Sequence, residues 1–196
     1  MDYTFLYREY EECFKQLRFY DERQEGLVNY ILTLSSTAAT VIFGLYKLFE
    51  EDISKFYLVQ SVLSFIIYVS IIVIIAGMVQ NRIYFTFAAK QINAIRKYLL
   101  ENEAPYFKEN QMYTSTGFSA FKFFSIQTLM IFGVLSISVI FWGSFVFSFC
   151  EVFDLCNSLG KAILWSIVLM VIKVLTIVCY LKTKGKSNAD KAIHGE

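Results

Sequence analysis

The chain has 196 residues, of which 56% are hydrophobic and 18% charged, with one proline and nine glycines. Its formal charge is +1, from 18 Lys and Arg against 17 Asp and Glu. These figures exclude a disordered chain, a collagen-like chain and a strongly basic nucleic-acid binder, so direct nucleic-acid binding is not expected.

From the N-terminus, residues 3–21 repeat apolar groups at helical spacing: Leu6, Tyr10, Phe14, Leu17 and Tyr20. Charged residues fill the opposite face, and no proline separates this stretch from the first uncharged run. The pattern predicts an amphipathic helix running towards the membrane, with Gly26 as a place where it can break. Such a helix either packs against another helix of the chain or lies on the inner leaflet. The whole segment before the first span, residues 1–28, has seven acidic residues against four basic ones, which favours packing, because anionic headgroups repel them. Neither a cleavable signal peptide nor a lipid anchor is expected from the sequence.

The distribution of charge then sets the class. Residues 27–46, 56–81 and 123–150 carry no charge, and residues 162–181 carry only Lys173. A hydrocarbon core of roughly 30 Å needs about 20 apolar residues of helix. The uncharged runs therefore predict four spans, at 29–48, 58–79, 124–147 and 161–181. The predicted fold is an all-α integral membrane protein with four transmembrane helices and cytoplasmic amphipathic extensions. Its parts are a cytoplasmic amphipathic helix (1–28), a first transmembrane hairpin (29–80), a cytoplasmic helix and linker (81–121), a second hairpin (122–181) and a basic tail (182–196). Counted by alternate segments, 14 Lys and Arg fall on the side of the termini and 3 on the side of the two hairpin loops. The positive-inside rule predicts cytoplasmic termini and an inner-membrane location.

Within the first span, Ser36, Thr40 and Gly44 recur every four residues. Such a stripe lets another helix approach closely. It serves either packing against the second span or a contact between subunits, including the wall of a pore. Gly133, Ser136 and Gly143 form a weaker pattern of the same kind in the third span.

The second span is predicted to continue as a helix over 81–102, ended by Pro105. Arg82, Lys90, Arg96 and Lys97 project to one face of it. That face suits lipid headgroups, an anionic ligand such as a nucleotide, a docking protein, or the acidic Glu9-Glu11-Glu12 surface of the first helix. No glycine-rich phosphate loop accompanies it.

Lys173 lies near the middle of the fourth span, where a lysine costs about 2.5–3.5 kcal/mol. No span contains an acid to pair with it. It can snorkel over roughly 12 Å to the inner interface, lie buried and neutral, or face a wet cavity or pore. A pore would then favour anions, whereas Glu50, Glu51 and Asp52 at the outer loop favour cations, so ion selectivity stays open. Cys150 and Cys156 flank a short outer loop and form either a disulfide or two free thiols. No metal or cofactor is expected: the only histidine, His194, is nearly terminal, and no Walker, G-x-S-x-G or H-E-x-x-H motif occurs. Uninterrupted spans without carboxylates also disfavour a coupled transporter.

The segment Asn81-Arg82-Ile83-Tyr84-Phe85, followed by Ala89-Lys90-Gln91-Ile92-Asn93-Ala94-Ile95-Arg96-Lys97-Tyr98, resembles small prokaryotic membrane proteins. So does the preceding order of amphipathic helix, span, short loop and span. Over residues 1–100 the chain resembles the SLATT-type membrane effectors of bacterial antiphage systems. Its four-span size is similar to the membrane subunits of Kiwa- and Hailong-type defence operons. The third and fourth spans depart from the two-span SLATT plan. The resemblance implies a homo-oligomer that perturbs the bilayer or conducts ions when a cytoplasmic protein or nucleotide signals infection. The sequence reading is therefore a non-enzymatic oligomeric effector or channel-like subunit. The alternatives are a structural anchor for a soluble partner and, behind it, a transporter or membrane enzyme.

Overall fold

A computed structural model describes residues 3–103, 106, 113–155 and 157–186. Four helices make up the fold: α1 (Tyr3–Leu48), α2 (Ile53–Asn102), α3 (Ile126–Val152) and α4 (Ser158–Lys184), and no strand occurs among the described residues. All four are long and apolar enough to cross a membrane, which suits a multi-pass membrane protein.

The first two helices are far longer than a crossing requires. α1 has 46 residues and α2 has 50, or about 70 and 75 Å of helix, against roughly 30 Å of hydrocarbon. The N-terminal half of α1 and the C-terminal half of α2 therefore continue past the spans as an antiparallel pair. Gly26 does not break α1, which is helical throughout. The predicted stop of the helix after residue 102 coincides with the end of α2, where the Glu103 N–H returns to the Leu99 carbonyl at 2.8 Å. Pro105 itself lies outside the described residues.

The two hairpins close by local chemistry. Asp52 caps α2 by accepting from the Lys55 N–H at 3.3 Å, and its carboxylate also pairs with the Lys55 ammonium at 2.7 Å. Asn157 enters α4 at φ 58° and its side chain accepts from the Gly160 N–H at 3.2 Å. A Cβ on Gly160 would stand 2.5 Å from that Asn157 oxygen, so the cap requires glycine here.

The bundle is built around α2 and α3, with α1 against one side and α4 against the other. Ile31, Ile71, Met78, Ile131 and Leu135 fill its axis and are at most 1% exposed. Large apolar residues also cover the outside, including Leu32, Phe43, Leu164, Ile167 and Leu175. Inside, by contrast, Gln24, Ser64, Asn81, Arg82, Thr86, Gln127, Thr128 and Ser138 are buried. Apolar surface outward and polar groups inward is the arrangement that hydrocarbon, rather than water, favours.

Candidate functional site: a mid-span lysine above a polar clasp

Lys173 has Val and Ile neighbours in sequence, and its helix buries only Ala162, Ile177 and Leu181. The side chain does not run to the end of its helix. It turns inward between α2 and α3, where Nζ donates to Ser138 Oγ at 3.1 Å and lies 4.3 Å from the centre of the Tyr68 ring. Snorkelling, one of the three fates open to it, is thus replaced by a hydroxyl and an aromatic face at the same depth. Ser138 is fully buried and donates its own proton to the Leu135 carbonyl at 2.7 Å, which leaves its lone pairs for the ammonium. Tyr68 is held by Trp142, with ring centres 5.0 Å apart. The cation–π and hydrogen-bond contacts offset part of the cost of the charge. Lys173 also lines a cavity of about 440 Å³ between α2 and α4, walled by Ile72, Ile75, Ala76, Val79 and Ile177.

At the end of the bundle where α4 stops, polar side chains form a second assembly. Asn81 donates to the Tyr20 carbonyl at 2.7 Å and to Gln24 Oε1 at 3.0 Å. Its neighbour Arg82, 7% exposed, donates from Nε to the Ala120 carbonyl at 3.0 Å and from a terminal nitrogen to Gln127 Oε1 at 3.3 Å. Gln127 in turn donates to Asp21. One clasp thereby joins α1, α2, the segment before α3, and α3. Burial pulls the Arg82 guanidinium below its ordinary pKa, and Asp21 opposes that shift. Asn93 holds the same connecting segment lower down, through the Ser115 carbonyl at 2.7 Å.

The basic face predicted on α2 is consequently divided. Arg82 is enclosed in the clasp. Lys90 donates to the Gly185 carbonyl at 2.6 Å, and burial lowers its pKa. Arg96 donates to the Tyr10 hydroxyl at 2.9 Å and stacks 5.5 Å from the centres of both Tyr10 and Phe14. Lys97 alone of the four is exposed, 3.9 Å from Glu101. The four do not form a common anion-binding surface. Nor do Glu9, Glu11 and Glu12 neutralise them: the planar guanidinium of Arg96 finds aromatic faces in place of the expected acidic surface.

Ser36, Thr40 and Gly44 are all exposed. Their stripe faces away from α2, because Ile31, Ala38 and Ile42 take the inner side of α1. This corrects the packing alternative: no Cβ contact would be met at Gly44, and the two hydroxyls bond to their own helix, at Leu32 O and Ser36 O. Gly143 is the close approach between α3 and α4, since a Cβ there would lie 2.9 Å from Ser166 Oγ on α4. The thiol of Cys150 is buried and free. Cys156 lies outside the described residues, and with it the choice between a disulfide and two free thiols; His194 lies outside them as well.

Sequence reasoning named Lys173 but not Tyr68 or Ser138. A signal was present: both lie near the centres of their own spans, at the depth where a mid-span lysine must find partners. Asn81, Gln24, Asp21 and Gln127 carried no comparable signal, since each is an ordinary polar residue beside an apolar run. Comparison with protein-family models, curated proteins and solved structures finds no match.

Proposed function

We propose that the chain is a non-enzymatic effector or channel-like subunit of a bacterial inner membrane, with cytoplasmic termini, that acts as a homo-oligomer under the control of a cytoplasmic protein or ligand. The observation that carries this reading is Lys173 turned inward at mid-span, onto Ser138 and Tyr68, beside a cavity. A charge kept at this depth without an acid is costly and points to a functional position. The axis of one bundle is filled by buried apolar side chains such as Ile31, Ile71, Met78, Ile131 and Leu135, so passage of ions requires copies to assemble or the bundle to open. The outward stripe of Ser36, Thr40 and Gly44 gives copies a surface for close approach. The antiparallel α1–α2 extension is the natural control element, because the clasp couples it to α3. The resemblance of residues 1–100 to SLATT-type effectors supports a role in antiphage defence.

The test is membrane potential in a bacterial host overproducing the chain, where its own concentration drives assembly without the cytoplasmic signal. Wild type should depolarise the cells, and Lys173→Leu at matched membrane levels should not. Equal depolarisation by the two, or none by either, overturns the reading. The clasp favours a second reading, in which the α1–α2 extension anchors a soluble partner and the spans serve only to hold it. That reading expects a co-purifying partner whose retention is unchanged by Lys173→Leu.

A further inference from the structure

We propose that the cavity between α2 and α4 is a binding site for a free fatty acid drawn from the bilayer, with its carboxylate on Lys173 Nζ and its tail along Ile72, Ile75, Ala76, Val79 and Ile177. The inference deepens the reading of Lys173 as a functional position and rests on the chain lying in a membrane. Three observations specify the ligand.

The first is charge. An ammonium has three donors, and Ser138 takes one. The spans contain no Asp or Glu, so the complementary charge must come from outside the chain. The second is the wall of the cavity, which is apolar from Ile72 to Val79 on α2 and at Ile177 on α4. The third is its opening. Ala76, Ile172, Thr176 and Tyr180 line it and are exposed, so it opens sideways between the two helices. A ligand arriving there travels through hydrocarbon, and an inorganic anion does not.

Polarity along the cavity sets the orientation. It extends about 18 Å along α2, from Tyr68 to Gln80, and about 10 Å along α4, from Lys173 to Tyr180, by helical rise. The cation lies at the deep end. A phospholipid with its headgroup at the level of Gln80 and Tyr180 would bring the end of an acyl chain against the ammonium. A single-chain acid seated head-first places its carboxylate on the ammonium and needs one slot. The dimensions suit a medium chain.

The full chain in phosphatidylcholine nanodiscs, with radiolabelled laurate as the probe and empty nanodiscs as the blank, tests this. Unlabelled laurate should displace the probe at least about tenfold more effectively than methyl laurate, the factor equivalent to about 1.4 kcal/mol. Lys173→Met should erase that preference, Lys173→Arg should retain it, and Ala76→Phe should fill the slot and weaken both competitors. Equal displacement by ester and acid in the wild type, which requires no variant to fold, overturns the proposal. So does a preference that survives in Lys173→Met, or stronger displacement by phosphatidylglycerol than by laurate. Laurate binding without depolarisation would retire the channel-like reading alone, and depolarisation without laurate binding would retire this site alone.

Discussion

The ammonium of Lys90 on α2 donates to the main-chain carbonyl of Gly185, 2.6 Å away and one residue past the end of α4. A cation thus caps the negative end of a helix that otherwise buries little of itself. The contact is possible because Gly185 lies directly against the segment before α3. A Cβ on Gly185 would stand 2.5 Å from Ala120 Cβ and 2.6 Å from the Leu181 carbonyl. Gly185 has φ −68°, which any residue adopts, so its constraint is space alone. Gly185→Ala should therefore destabilise the bundle by about 1–3 kcal/mol, the usual cost of overpacking. Lys90→Met should loosen the end of α4 without a clash. Thermal unfolding in detergent checks the first, and hydrogen exchange over residues 178–186 checks the second.

Cys13 is 3% exposed on the face of α1 turned to α2, with Sγ 3.9 Å from a Glu9 carboxylate oxygen. Burial first, and the Glu9 charge second, push this thiol above the ordinary cysteine range. At neutral pH it should be protonated and should react with iodoacetamide far more slowly than a free thiol. The unfolded chain gives up this proton first, at about pH 8.5. The stability that Cys13 contributes is therefore present below that pH and is lost as pH rises towards the folded value. Glu9→Gln should lower the pH at which labelling begins. Labelling of Cys13 as fast as a model thiol at pH 7 would contradict the burial.

The stripe on α1 yields a prediction that packing within one bundle would not. Gly44 meets nothing within 4 Å, so Gly44→Leu should leave the stability of a single bundle within about 0.5 kcal/mol. On the proposed reading it should still break or rearrange the oligomer, because helices can no longer approach there. Native mass spectrometry in mild detergent and in nanodiscs reads both. A wild-type monomer under both conditions would remove the oligomer from the proposal.

How far the fold was legible depends on which forces are local. Uncharged runs located the apolar stretches of the four helices, and helical periodicity carried α1 and α2 beyond them, because both signals reside in consecutive residues. The partners of the basic residues were not legible. Arg82, Lys90 and Arg96 share a face of one helix, yet they go to the segment before α3, to the end of α4 and to the aromatics of α1. Nothing in their spacing separates those destinations, which arise only when the helices meet. The stripe misled in the opposite sense. Small residues permit close approach but do not require it, and the apolar Ile31, Ala38 and Ile42 took the inner side of α1.

Lys173 and Ser138 provide the most direct test of the mid-span site. Ser138→Ala removes the acceptor of the ammonium, 3.1 Å away, and the Ala side chain fits the space. The Tyr68 ring, 4.3 Å from Nζ, then remains as the protein contact. Because a charge in hydrocarbon is costly, Ser138→Ala should cost about 1–3 kcal/mol, the range for leaving a buried polar group without its partner. Lys173→Leu should stabilise the bundle, since it removes the charge and adds apolar surface. The two substitutions touch one another and should not add: in Lys173→Leu, the further change Ser138→Ala should cost less than in the wild type. A double-mutant cycle from steric-trapping or denaturant unfolding in bicelles measures the difference. Additive effects would mean that the hydroxyl does not hold the ammonium at mid-span, and the lysine would then have to satisfy its charge elsewhere.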